Sequence, residues 1–172
     1  WIDDVLEFWF GRLTKEAWFE KNDATDAEIR SQFGDLYAAL SEALPADATA
    51  SARGALAAII VLDQFPRNMY RDNAKAFATD EIALTLSQAA IDRGFDQELS
   101  PTERQFLYMP FQHNEDQAVQ SRSVKLFATL GDAKTLDYAQ QHLDIINRFN
   151  RFPHRNETLG RESTAEEVEF LQ

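Results

Sequence analysis

"SPTERQFLYMPFQHNEDQ", residues 100–117, holds two helix starts and one proline. Ser100, Pro101 and Glu103 read as the cap, the first helical residue and the reciprocal acid of a capping box. The helix they open is expected to reach about Met109 and break at Pro110. A prolyl ring has no N–H to donate and collides with the turn before it. Asn114 then reads as the cap of a second helix, with Glu115 and Asp116 in its first turn, where acids offset the helix dipole. Two starts in close succession are the punctuation of an all-helical chain.

The same punctuation extends in both directions. Thr79 opens a helix through Ile82, Leu86, Ala89 and Ala90, with Gly94 placed as a C′ glycine. Ser51 caps a helix whose apolar side holds Leu56, Ile59, Ile60 and Leu62, with Pro66 as its expected end. "TDAE" (25–28) reads as a capping box with Thr25 as N-cap. After it, Ile29, Phe33, Leu36, Tyr37 and Leu40 recur at helical spacing. "VLEFWF" and "EAWFEK" predict two short helices around Gly11, packed through their aromatics. On the other side, the helix opened at Asn114 ends at Gly131. The next spans about 133–149, with Tyr138, His142, Ile145 and Phe149 on one face. "STAE" (163–166) caps a short terminal helix. No segment alternates with a period of two. The prediction is one all-α domain over 1–172: an array of seven to eight helices, without a sheet and not a simple up-down bundle.

Bulk properties narrow the function. A chain of 172 residues can bury one sizeable core. There is no cysteine, which excludes disulfides, thiolate metal sites and cysteine nucleophiles. The longest apolar run, "ALAAIIVL" (55–62), is far short of the ~20 residues of a membrane span. The start, "WIDDVLEFWF", has acids where a signal peptide needs bases. A cytoplasmic protein without a membrane partner is expected. The net charge of −12 argues against nucleic-acid binding. The six glycines sit singly, so no phosphate loop or dinucleotide fingerprint is formed and no nucleotide cofactor is expected. No metal motif is present, since His113-x-Glu115 is too short to count as one. No oligomeric state is implied.

Against this acidic background, "RFNRFPHRNETLGR" (148–161) carries four arginines and one glutamate. It echoes an earlier stretch: "FPRN" at 65–68 and "FPHRN" at 152–156. Arg67, Arg71, Arg151, Arg155 and Arg161, with His154 and Asn156, can line a pocket for a carboxylate or phosphate. They can equally be an internal clamp that pairs with the many carboxylates. Asp63 closes an apolar helix, where the dipole disfavours an acid, so it needs a cation from Arg67 or from 148–161. His113, beside Glu115 and Asp116, reads as a general base or as a neighbour of capping residues. His142 reads as a packed histidine. The two stretches 63–71 and 148–161, taken as loops, are therefore expected to converge. Arg67, His154, Arg155 and Asn156 would then face a polar cavity walled by Asp63 and His113.

"VLEFWFG", "LDQFPRNMYR", "AFATD", "ERQFLYMPFQHNEDQAVQSRSVKLF" and the arginine-rich stretch together resemble a bacterial family of unknown function. That family is placed among tetratricopeptide-repeat-like folds, and the likeness covers nearly the whole chain. It implies an all-α array of antiparallel helix pairs and no established reaction. Where the family pattern has Ser and Gly, this chain has Asn114 and Asn150, which keep an N-cap and a left-handed cap residue respectively. Two functions follow. One is a binding module for a small anionic ligand or peptide at the Arg/His/Asp cluster. The other is a small-molecule hydrolase with His113 or His154 as base, beside carboxylates such as Glu115 and Asp116.

Overall fold

Residues 54–66 are buried without a break, and the helix that contains them is the one on which the others pack. The computed structural model describes residues 1–172. Its helices are α1 (2–12), α2 (Asp23–Glu42), α3 (52–69), α4 (Asp80–Asp92), α5 (Pro101–Gln112), α6 (Gln117–Ala128), α7 (Ala133–Phe149) and α8 (Ala165–Phe170). Single turns at Glu16–Trp18, Asp47–Ala50, Ala74–Phe77 and Phe95–Glu98, and over 153–159, join them, and there is no strand. A helix that is apolar all round belongs in the interior, and α3 packs on α1, α2, α4 and α5. From there the chain stacks in sequence, α5 on α6 and α6 on α7. No helix is long and apolar enough to cross a membrane.

The core gathers the aromatics of the N-terminal region as expected. Trp9 stacks on Trp18 at 6.3 Å, and Trp18 meets Phe106 edge-on at 4.8 Å. Phe65 stacks on Phe33 at 4.9 Å. Large rings of this kind supply much of the buried apolar area.

Two helix ends expected at prolines are not ends. Both Pro66 and Pro110 lie inside continuous helices. In a regular helix the Leu62 carbonyl would accept from residue 66, which as proline has no N–H. Here Thr79 Oγ1 donates to that carbonyl at 2.6 Å, and Arg67 donates to the Asp63 carbonyl at 2.7 Å. Just before the proline the helix widens, with the Phe65 N–H reaching back five residues to Ile60. Such π-turns give a helix room for an irregularity. Around Pro110, Ser87 donates to the Leu107 carbonyl. Gln120 Nε2 lies 2.7 and 2.6 Å from the carbonyls of Gln112 and Asn114 at the helix end. At Pro66 the Thr79 hydroxyl thus replaces the missing donor, and around Pro110 side chains of neighbouring helices tie down carbonyls beside the proline and at the helix end.

Three caps are displaced from the expected residues. Asn22, not Thr25, caps α2 by accepting the Thr25 N–H at 3.0 Å, in keeping with the stronger capping preference of Asn over Thr. Asp116, not Asn114, caps α6; Asn114 instead closes a turn by accepting the Asp116 N–H at 2.8 Å. The terminal box is Thr164 with Glu167, one residue later than "STAE" suggests. The Ser100–Glu103 box forms as expected. Asn150 takes the left-handed conformation at the end of α7, with φ 61°.

Candidate functional site

The two Phe-Pro pairs anchor inward, with Phe65, Pro66, Phe152 and Pro153 all buried. The arginine that follows each pair is thereby carried to one place, at the C-terminal end of α5. The first of these stretches is not a loop as expected, because helix α3 continues to residue 69. The π-turn over Ile60–Gln64 contains the decisive carboxylate.

Asp63 is wholly buried. Its Oδ1 lies 2.8 Å from His113 Nδ1, and its Oδ2 accepts from Gln64 Nε2 at 2.7 Å. Arg67 sits 3.7 Å from Asp63 Oδ1 and forks Asp80 at 2.8 and 3.0 Å. Arg155 approaches the same Asp80 at 4.0 Å and donates to the backbone carbonyl of His113 at 3.0 Å. The contacts close a ring: His113, Asp63, Arg67, Asp80, Arg155 and back to His113. The Arg155 guanidinium lies against the rings of Phe77 and Phe152, 4.4 and 4.7 Å from their centres.

The ring shapes the local charges. Burial pushes the Asp63 carboxyl up, but the charges and hydrogen bonds of His113, Arg67 and Gln64 prevail and hold it below the usual carboxylate range. Burial opposes the charge on Arg67, yet Asp63 and Asp80 hold its pKa above the ordinary value. Arg155 goes the other way: burial and the neighbouring charge of Arg67 lower it to about 10. A carboxylate at His113 Nδ1 fixes the hydrogen on that nitrogen, because a carboxylate can only accept. In the neutral ring, His113 Nε2 is then a free lone pair. It makes no hydrogen bond within the protein and is not sealed from solvent.

Of the expected site residues, Asp63, Arg67, His113 and Arg155 come together, and the others are elsewhere. Arg71 forks Asp26 of α2, which also accepts from Asn68 at 3.0 Å. Arg151 forks Glu167 at 2.9 and 2.7 Å. Glu115 is forked by Arg161 at 2.9 and 3.1 Å and accepts the Phe152 N–H. Asn156 is held by Arg161 and Ser163. Asp116 spends its carboxylate as a cap. His154 is exposed and lies against Phe152 with ring centres 5.5 Å apart. Asp80, Gln64 and Phe77 were not singled out from the sequence. Asp80 reads there as an ordinary first-turn acid after Thr79. No group of three or more His, Asp or Glu side chains is arranged to hold a metal ion. A separate open depression of about 730 Å³, lined by Asp3, Asp4, Glu7, Phe10, Arg53 and Glu103 among others, touches none of the ring.

Comparison with known proteins supplies a family but no reaction. The solved structure of a protein of unknown function from Agrobacterium tumefaciens is 40% identical and superimposes with a TM-score of 0.95, over 99% of this chain and 96% of that one. No curated protein sequence matches. The family model described as "Bacterial protein of unknown function (DUF924)" matches residues 5–172, and the chain belongs to that family.

Proposed function

We propose that this chain acts on a small anionic molecule, with the Asp63–His113 pair as its proton-handling group and Arg155 as the anchor for negative charge. The carrying observation is the 2.8 Å contact between a wholly buried carboxylate and His113 Nδ1, which leaves Nε2 free. A carboxylate that orients a histidine in this way is the working arrangement of a general base. Hydrolysis is the simplest chemistry for it. His113 Nε2 takes a proton from water as the water oxygen bonds to the acyl or phosphoryl centre. The bond to the leaving oxygen breaks, and the same proton passes to that oxygen. Binding without turnover, as a module for an anionic ligand or peptide, is the second reading. It is favoured by Arg67, whose fork to Asp80 is that of a structural pair. We also read the sequential packing of α4 to α7 as a tetratricopeptide-like array.

The test is a panel of carboxylic and phosphoric ester substrates, assayed with the purified chain and with His113→Ala and Asp63→Asn. Turnover that falls at least a hundredfold in both variants, with folding retained by circular dichroism, supports the reading. Turnover equal in His113→Ala, or none on any ester, rejects the hydrolase.

A further inference from the structure

The four arginines of 148–161 are not equivalent. Three have a glutamate of their own: Arg148 with Glu166 at 2.9 Å, Arg151 with Glu167 at 2.7 Å and Arg161 with Glu115 at 2.9 Å. Arg155 has none. Its nearest carboxylate, Asp80, stands 4.0 Å away and is already forked by Arg67. Its Nε is buried without a hydrogen-bond partner, and its residue exposure is 7%. A buried cation without a close counter-charge is costly.

Phe152 gathers the groups around it. His142 of α7 meets its ring edge-on at 5.4 Å, His154 lies against it at 5.5 Å and Arg155 at 4.7 Å. His142 donates from Nδ1 to the Tyr138 carbonyl at 2.7 Å, so its Nε2 carries a lone pair and becomes a donor only on taking up a proton.

We propose that the rim of Phe152, framed by Arg155, His142 and His154, binds the oxyanion group of a small ligand, a phosphoryl or carboxylate group, with uptake of a proton by the flanking histidines. The inference rests on the reading of the Asp63–His113 pair in so far as it names the charged end of that pair's substrate. The charged groups around Arg155 and the two histidines come from several elements. Helix α3 presents Asp63 and Arg67, and α4 presents Asp80. His113 and Glu115 come from the α5–α6 connection, and Arg161 from the C-terminal segment. Three acids there balance three arginines, and Arg155 is a cation that bears on both His142 and His154. His142 is held down to about 4, first by burial and then by His113, His154 and Arg155. His154 is exposed as a residue, but its ring lies against Phe152, and it is lowered as well, by partial burial and by Arg155. An anion seated there offsets the charge of Arg155, so the histidines regain protons. By linkage, binding then weakens as pH rises from about 4 towards the ordinary histidine value of about 6.5, by up to about tenfold per pH unit per proton taken up.

The experiment follows the imidazole signals by nuclear magnetic resonance between pH 4 and 8, in matched ionic strength of chloride, sulfate or acetate. Sulfate stays a dianion over this range, and acetate near neutral pH tests a planar carboxylate. Histidine-to-glutamine variants assign the three signals. The expected result is an upward move of the His142 and His154 midpoints in sulfate, acetate or both, with the responding anion naming the ligand group. The move should be lost in Arg155→Met and diminished in Arg155→Lys. If Arg155→Met does not fold, His154→Gln serves instead and should weaken sulfate affinity severalfold. Midpoints that ignore both anions overturn the proposal, as does a response unchanged by every variant. Ester turnover that persists without any anion-linked shift rejects this site and leaves the proton-handling pair standing. The converse result rejects the pair and leaves the site.

Discussion

Asp63→Asn isolates what the buried carboxylate does, because it keeps volume and removes charge. Asp63 accepts two side-chain hydrogen bonds, from His113 and Gln64, and faces Arg67 at 3.7 Å. A hydrogen bond to an ionised group is worth about 1 kcal/mol more than a neutral one, so two such bonds give about 2 kcal/mol. The amide also directs an N–H₂ group at a neighbour that is itself a donor, unless Gln64 turns over. Breaking a buried charge pair outright costs about 3–5 kcal/mol, but Arg67 keeps its fork to Asp80, so the full figure does not apply. The expected loss is about 2–4 kcal/mol, or a Tm lower by about 5–12 °C for a chain of this size. The folded carboxyl is held below its unfolded value of about 3.9. A depressed acid stabilises above its unfolded pKa, and that stability is lost as pH falls through the folded one. Urea melts of both proteins should therefore differ at pH 7 and at about pH 5, and the gap should close as pH falls below about 4. A gap under about 0.5 kcal/mol at pH 7, or one that persists undiminished below about pH 3, refutes the reasoning.

Thr79→Val leaves the Leu62 carbonyl without its hydroxyl donor and should cost about 1–3 kcal/mol in urea melts. Adding Pro66→Ala to that variant should return part of the loss by supplying an N–H. Glu115→Gln weakens the fork to Arg161 and the bond from the Phe152 N–H. Because this carboxylate is only partly buried, the expected loss after solvent screening is about 1 kcal/mol at pH 7. Arg161 and the Phe152 N–H override burial and hold Glu115 below its ordinary value, so that difference too should vanish as pH falls below about 4. Asn150 has φ 61°, so Asn150→Gly should stay within a few tenths of a kcal/mol, whereas Asn150→Ala should cost about 1 kcal/mol by thermal melts.

The helices were legible in the sequence because caps, glycines and apolar spacing are local. The Ser100 box, the Gly94 turn and the left-handed Asn150 all concern residues within a few positions of one another. The prolines were misread for the opposite reason. The donor that replaces the missing N–H of Pro66 comes from Thr79, and the carbonyls near Pro110 are held by Ser87 and Gln120, all distant in sequence. The site divides in the same way. Asp63 could be flagged from its own helix, since an acid at that end lacks local support. Its contact with His113 spans fifty positions and needed the fold. Asp80 was missed because a first-turn acid after a threonine already has a sufficient local explanation. Arg71 and Arg151 were overcounted because nothing in their surroundings names Asp26 or Glu167 as partners.

A strongly acidic chain concentrates arginines at 148–161, and the four are best understood together. Three of them pair with Glu166, Glu167 and Glu115, and two of these pairs are bidentate. Bidentate forks fix geometry as well as contributing energy. They tie the segment to α8 on one side and to the residues after α5 on the other, and so determine where residue 155 lies. Phe77 and Phe152 both pack against its guanidinium, with ring centres 4.4 and 4.7 Å away. A fourth clamp would need a fourth glutamate, and the segment's own Glu157 is exposed. The nearest carboxylate, Asp80, stands 4.0 Å away and is already forked by Arg67. Three arginines thus hold the segment in place, and the fourth is held by it, beside a histidine whose free nitrogen is oriented by Asp63. That division of labour separates a preorganised site from a clamp, since a ligand that meets Arg155 bears little of the cost of ordering it.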